Sequence, residues 1–164
     1  MTNSAGDLAS VLAKRASELE EACIGLTDKA TSARPTTDVW CIREHLSHLQ
    51  GDDRDTFLAG IQRVLIEDVQ ELDVEPGITH YTVDRSRVAF PVLVSAVAGQ
   101  YRGLADLASK LSDEDLNRRV RIDLLKDTPF GPTPTLGEWF VAISDMHVPE
   151  HIEQIREARR TLRA

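Results

Sequence analysis

Four runs of apolar residues keep the spacing of one helical face, and turn-forming stretches rich in proline and glycine separate them. The first run, Asp7 to Leu26, places Leu8, Val11, Leu12, Leu19, Cys23 and Leu26 on one side and charges on the other. "TDKATSARPTTDV" breaks it, and a second run opens near Cys41 and continues through Ile42, Leu46, Leu49, Phe57, Ile61, Val64 and Leu65, which predicts one helix of about 25 residues. Residues 67–87, with Pro76-Gly77 in their middle, read as a long connection. A third helix follows from Val88 to Leu111, with Pro91 tolerated in its first turn. Residues 112–134 form a second long connection in which Ser112 and Asp115 cap a short turn and Pro129, Gly131, Pro132 and Pro134 keep the chain extended. "TLGE", Thr135 to Glu138, is a capping-box signature for a fourth helix that runs to about Leu162. The expected fold is all-α: a four-helix bundle with two long crossover connections, one domain over residues 1–164.

Composition narrows the function classes. Nineteen Lys and Arg against 27 Asp and Glu leave a net charge of -8, which opposes a phosphate backbone or an anionic membrane surface. The basic stretches "NRRVR" and "REARRTLR" read as solvated faces or helix ends. Aromatic residues make up 5% of the chain, too few for a stacking platform on single-stranded nucleic acid. No apolar run reaches the roughly 20 residues of a membrane span and no secretory signal is legible, so a cytoplasmic protein with no nucleic-acid or membrane partner is expected. Cys23 and Cys41 lack metal or redox spacing and read as reduced thiols.

The fourth helical run carries His147 and His151, four apart on the stripe that otherwise holds Leu136, Phe140, Ile143, Ile155, Ala158 and Leu162. Two imidazoles on an apolar face need polar company, either each other and a core hydrogen bond or a metal ion met one helical turn apart. Pro149 between them deletes an amide that a regular helix uses, a cost of about 3 kcal/mol, so a kink or bulge is expected there, or a break and restart. A bulge would turn His147 relative to His151. On the second run, periodicity places His45 at the rim of the apolar stripe and His48 farther round, and so selects His45 or neither. His80, in the first long connection, reads as a surface residue.

"VWCIREHLSHL", followed about a hundred residues later by "EWFVAISDMHVPEHIEQI", resembles the DinB-like (YfiT-type) superfamily of metal-dependent proteins. Members carry a tryptophan and a histidine at the start of the second helix and H-x-x-x-H-x-x-Q-I on the last. The resemblance implies metal ligands at His48, His147 and His151, with Trp40, Gln154 and Ile155 completing the motifs, and thereby chooses His48 where the wheel prefers His45. Cys41 stands where relatives often have the serine that caps the second helix, and Glu150 where they often have another histidine. The resemblance further implies a homodimer.

Three imidazoles on a divalent ion leave an open position. Zinc suits such a site best, and nickel or iron also fit. Water there would make the protein a hydrolase, and a low-molecular-weight thiol would make it a thiol S-transferase, each acting on a small-molecule substrate. Asp52 and Glu150, each within about a turn of a ligand, are the candidate general bases. The competing expectation is a non-catalytic, stress-associated binding or dimerisation bundle with a structural or vestigial ion.

Overall fold

The computed structural model describes residues 4–52 and 56–162, and among these every regular element is helical. Ser4 opens α1 (Ala5–Cys23) through a reciprocal capping box with Asp7. The helix ends three residues short of the expected Leu26, because Gly25, at φ 72°, turns the chain. A single turn, α2 (Asp28–Ser32), then leads to α3 (Ile42–Gln50). The second bundle helix is two segments rather than one. Gly51 adopts φ 77° and ends α3, donating its N–H to the carbonyls of Ser47 and His48, and α4 (Phe57–Ile66) starts afresh under a Thr56 cap.

The long connections hold short pieces of their own. The first carries α5 (Val83–Ser86), and α6 (Phe90–Ala108) follows with Pro91 in its first turn, so "FPVLVSAV" is helical as its continuity with the downstream period requires. The second carries α7 (Asp113–Asn117), capped reciprocally by Ser112 and Asp115, and a 3-10 turn at Asp123–Leu125. These connections also strap each other: Arg121 N–H donates to the Gln70 carbonyl at 2.8 Å, and Leu72 N–H to the Arg121 carbonyl at 2.9 Å. The fourth bundle helix comprises α8 (Leu136–Val141), a π-turn at Ala142–His147, and α9 (Val148–Thr161) without interruption. Its capping box forms as the sequence predicts, with Thr135 Oγ1 accepting from Glu138 N–H and Glu138 Oε2 from Thr135 N–H.

The apolar faces converge on one core. Leu8, Leu12 and Leu19 of α1, Ile42 and Leu46 of α3, Tyr101 and Leu104 of α6, and Phe140 and Ile155 of the last helix are all essentially inaccessible to water. α1 lies along α6 for most of its length, and α3 is held between α6 and α9. A buried cation secures the start of α3. Arg43 pairs with Asp28, donates to the Val88 carbonyl at 2.8 Å and to Thr31 Oγ1 at 3.2 Å, and lies over the Phe90 ring. Asp28 in turn accepts the Phe90 N–H, so α2, α3 and α6 meet in one satisfied polar network.

Candidate metal centre

Pro149 sets the geometry of the last helix. Val148 N–H donates to the Ile143 carbonyl, five residues back, which makes the turn a π-turn and inserts one residue beyond the regular helical count. Ser144 is left without a helical donor: its regular partner, Val148 N–H, is committed to Ile143, and the next amide in the π register belongs to Pro149, which has no N–H. Arg15 of α1 fills the gap, its Nε–H donating to the Ser144 carbonyl at 2.7 Å. The extra residue also rotates the stripe. Val148 and Ile152 enter the core, while His147, which a regular wheel would centre there, comes to the half-buried edge. The sequence is correct that Pro149 brings a bulge; the bulge lies in the turn before it, and the helix does not break.

That edge faces α3. Ring nitrogens of His48, His147 and His151 lie within 4.8 Å of one another. His147 Nε2 is buried with no hydrogen-bond partner among the described residues. His48 Nδ1 lies 2.6 Å from the Ile78 carbonyl; a carbonyl only accepts, so Nδ1 carries the proton and Nε2 keeps its lone pair free. Ile78 belongs to the first long connection, and two residues on His80 takes φ 52°, a left-handed backbone unusual outside glycine. His151 Nδ1 lies 3.1 Å from His45 Nδ1, buried, so one of the two nitrogens donates to the other. His45 therefore touches the group through His151, while His48, the residue the motif chooses, offers its own ring nitrogen to it.

Aromatic rings wall the group. The Trp40 indole lies parallel to the His151 ring at a centroid distance of 6.0 Å and tilted against His48 at 5.3 Å, and Phe57 meets His147 edge-on at 5.4 Å. Such surroundings disfavour positive charge. Burial pushes His147 down to about 4, with His48 adding to the shift, and pushes His151 down to about 3, with His147, His48 and His45 beside it. His45 falls to about 4 for the same first reason, and burial also lowers His48. At neutral pH the three histidines of the group are thus uncharged imidazoles offering lone pairs at close quarters, with an uncharged His45 beside them. That is the form in which histidine ligates metals, and the unpartnered Nε2 of His147 fits such a ligand.

Among solved structures, YfiT from Bacillus subtilis superposes with a TM-score of 0.73 over 93% of this chain and 84% of its own, at 18% identity. The fold is that of YfiT. YfiT is described as a probable metal-dependent hydrolase with an unusual four-helix bundle topology. No family model matches the chain, and no curated protein matches it by sequence.

The carboxylates expected as general bases, Asp52 and Glu150, are not among the atoms that converge in the histidine group. Asp52 follows α3 and lines a depression of about 390 Å³ together with Gln50, His80, Thr82, Asp84 and Arg85. Glu150 is exposed and accepts from Gln154 Nε2 at 3.3 Å. Neither belongs to the histidine group. Sequence reasoning did not identify Arg15 or Ile78 as contributors. Arg15 carries no motif and acts from 129 residues away, and Ile78 contributes only a backbone carbonyl, which no side-chain pattern reveals. No helix among the described residues is long and apolar enough to cross a membrane.

Proposed function

We propose that the protein is a metal-dependent enzyme in which His48, His147 and His151 hold a divalent ion, zinc first and nickel or iron as alternatives. The observation that carries this reading is the convergence of three neutral imidazoles within 4.8 Å, one of them with a buried nitrogen that nothing among the described residues satisfies. A divalent ion on three imidazoles keeps an open position and lowers the pKa of water or a thiol placed there, which supplies a nucleophile near neutral pH.

The chain's own residues prepare the site. Ligation through Nε2 requires the protons of His48 and His151 to sit on Nδ1. For His48 the Ile78 carbonyl imposes this. For His151 it means that Nδ1–H donates to His45 Nδ1, leaving the His45 proton on Nε2. Trp40 and Phe57 limit water access from the side and keep the rings in place. The reaction class is hydrolysis or thiol transfer on a small molecule. YfiT's description as a probable metal-dependent hydrolase favours the first. Asp52 and Glu150 remain the proposed proton acceptors; because they lie outside the histidine group, each would act through an intervening water or substrate group.

Elemental analysis of protein purified without a histidine tag tests this directly. Near one equivalent of zinc, nickel or iron per chain is expected, falling to background in His48→Ala, His147→Ala and His151→Ala. A parent protein that takes up no metal after reconstitution would overturn the assignment.

A further inference from the structure

We infer that Arg15 is a positioning residue for the candidate metal centre: by donating to the Ser144 carbonyl it sustains the π-turn that holds His147 against His48 and His151. The inference rests on the metal reading above. Its physical basis is the hydrogen-bond account of the turn. The Ser144 carbonyl has no donor within its own helix, since Val148 N–H serves Ile143 and Pro149 has none, and Ser144 is buried. The guanidinium is well placed to replace the missing amide. Its Nε–H reaches the carbonyl at 2.7 Å, Nη1–H is held by Glu18 Oε2 at 2.7 Å, and Nη2 lies 3.7 Å from Asp145 Oδ1. α1 and the π-turn are thereby clamped together three residues before His147. Without that donor, the turn's cheapest relief is to return Val148 N–H to Ser144, which restores regular helix count and swings His147 back toward the core stripe, away from His48.

The test compares the parent with Arg15→Met, Arg15→Lys, Pro149→Ala and the double variant Arg15→Met/Pro149→Ala. Methionine keeps much of the packing stem and removes every donor, lysine keeps one charged donor, and the Pro149→Ala change supplies an amide in register for the Ser144 carbonyl. Cobalt(II) is the probe, read by its visible ligand-field spectrum and by chelator competition. The metal-free proteins are read by the nitrogen resonances of the His147 ring. Arg15→Met is expected to bind cobalt about tenfold to a hundredfold more weakly, with an altered spectrum. Arg15→Lys should recover part of the loss, and Arg15→Met should cost less when combined with Pro149→Ala than it does in the parent. Parent-like affinity and spectrum in Arg15→Met would overturn the inference and leave the metal reading standing. If the parent itself binds no cobalt, the metal reading fails, and unchanged His147 resonances in metal-free Arg15→Met would then overturn the positioning role separately. Should Arg15→Met not fold, the double variant is expected to fold, because its carbonyl has a donor again; equal damage in both would overturn the inference.

Discussion

His48 Nδ1 and the carbonyl oxygen of Ile78 stand 2.6 Å apart, joining α3 to a loop residue 30 positions later in the chain. A histidine whose ring is held this way presents one nitrogen in a defined direction, as metal-ligating histidines commonly do. The loop supplying the carbonyl bends through His80 at φ 52°. His80→Gly, which tolerates that backbone, should bind metal as the parent does. His80→Val, a β-branched residue at positive φ, should lower metal affinity and destabilise the fold by about 1–2 kcal/mol. Titration with zinc and thermal unfolding check both, and equal behaviour of the two variants would contradict the role given to this loop.

His45 and His48 should separate cleanly. His48→Ala removes a ligand and is expected to abolish stoichiometric binding. His45→Ala removes only the partner of His151 Nδ1, so it should retain one metal per chain with about tenfold weaker affinity. Isothermal titration distinguishes them, and the reverse order would mean that His45 is the ligand.

The unsatisfied Nε2 of His147 is a cost the metal-free fold carries. His147→Phe, which fills a similar space without the polar atom, should make the metal-free protein more stable by about 1 kcal/mol while eliminating metal binding. Urea denaturation of the metal-free forms measures the difference. A variant markedly less stable than the parent would show that the histidine is held for packing.

Acid should weaken the metal-free protein before its carboxylates are protonated. In the unfolded chain an imidazole titrates near 6.5; in the fold, His45 and His147 titrate at about 4 and His151 at about 3. Between about pH 6.5 and 4 the unfolded chain therefore binds more protons, so stability falls as pH drops through that window and is fully present above it. Unfolding midpoints at pH 7.5 and pH 5.0 in the absence of metal should differ in that direction. A flat profile would place these rings in water.

Arg43 supports the start of α3 without touching the histidines. Arg43→Met leaves the Val88 carbonyl and Thr31 hydroxyl without their donor and Asp28 without its cation, so a loss of about 2–3 kcal/mol is expected. One metal per chain should still bind. Loss of metal from a variant that remains folded would instead make Arg43 part of the site.

Local pattern was enough for the bundle. Helical periodicity, the capping boxes at Thr135 and Ser112, and Pro91 in a first turn are all short-range signals, because a helix satisfies its backbone within a few residues. The same logic misjudged Gly51, since apolar residues on both sides keep the period and conceal one left-handed residue between them. The histidine group lay beyond local pattern. A wheel assumes uniform rotation, which the π-turn breaks, so it centred His147 in the core; on the regular α3 it ranked burial alone and so favoured the buried His45 over His48, whose ring nitrogen lies with those of His147 and His151.

Pro149 shows where sequence and tertiary structure divide the work. Its missing amide is written in the chain and guarantees that some carbonyl in the preceding turn loses a donor. Which carbonyl, and what replaces the donor, depends on α1 lying beside the turn with Arg15 facing it. The orientation of His48 likewise depends on the Ile78 carbonyl arriving from a loop whose own residues carry no mark of it. A residue's hydrogen-bonding capacity is a local property, whereas its partner is chosen by packing between segments far apart in the chain, and the candidate metal centre is built from such partners.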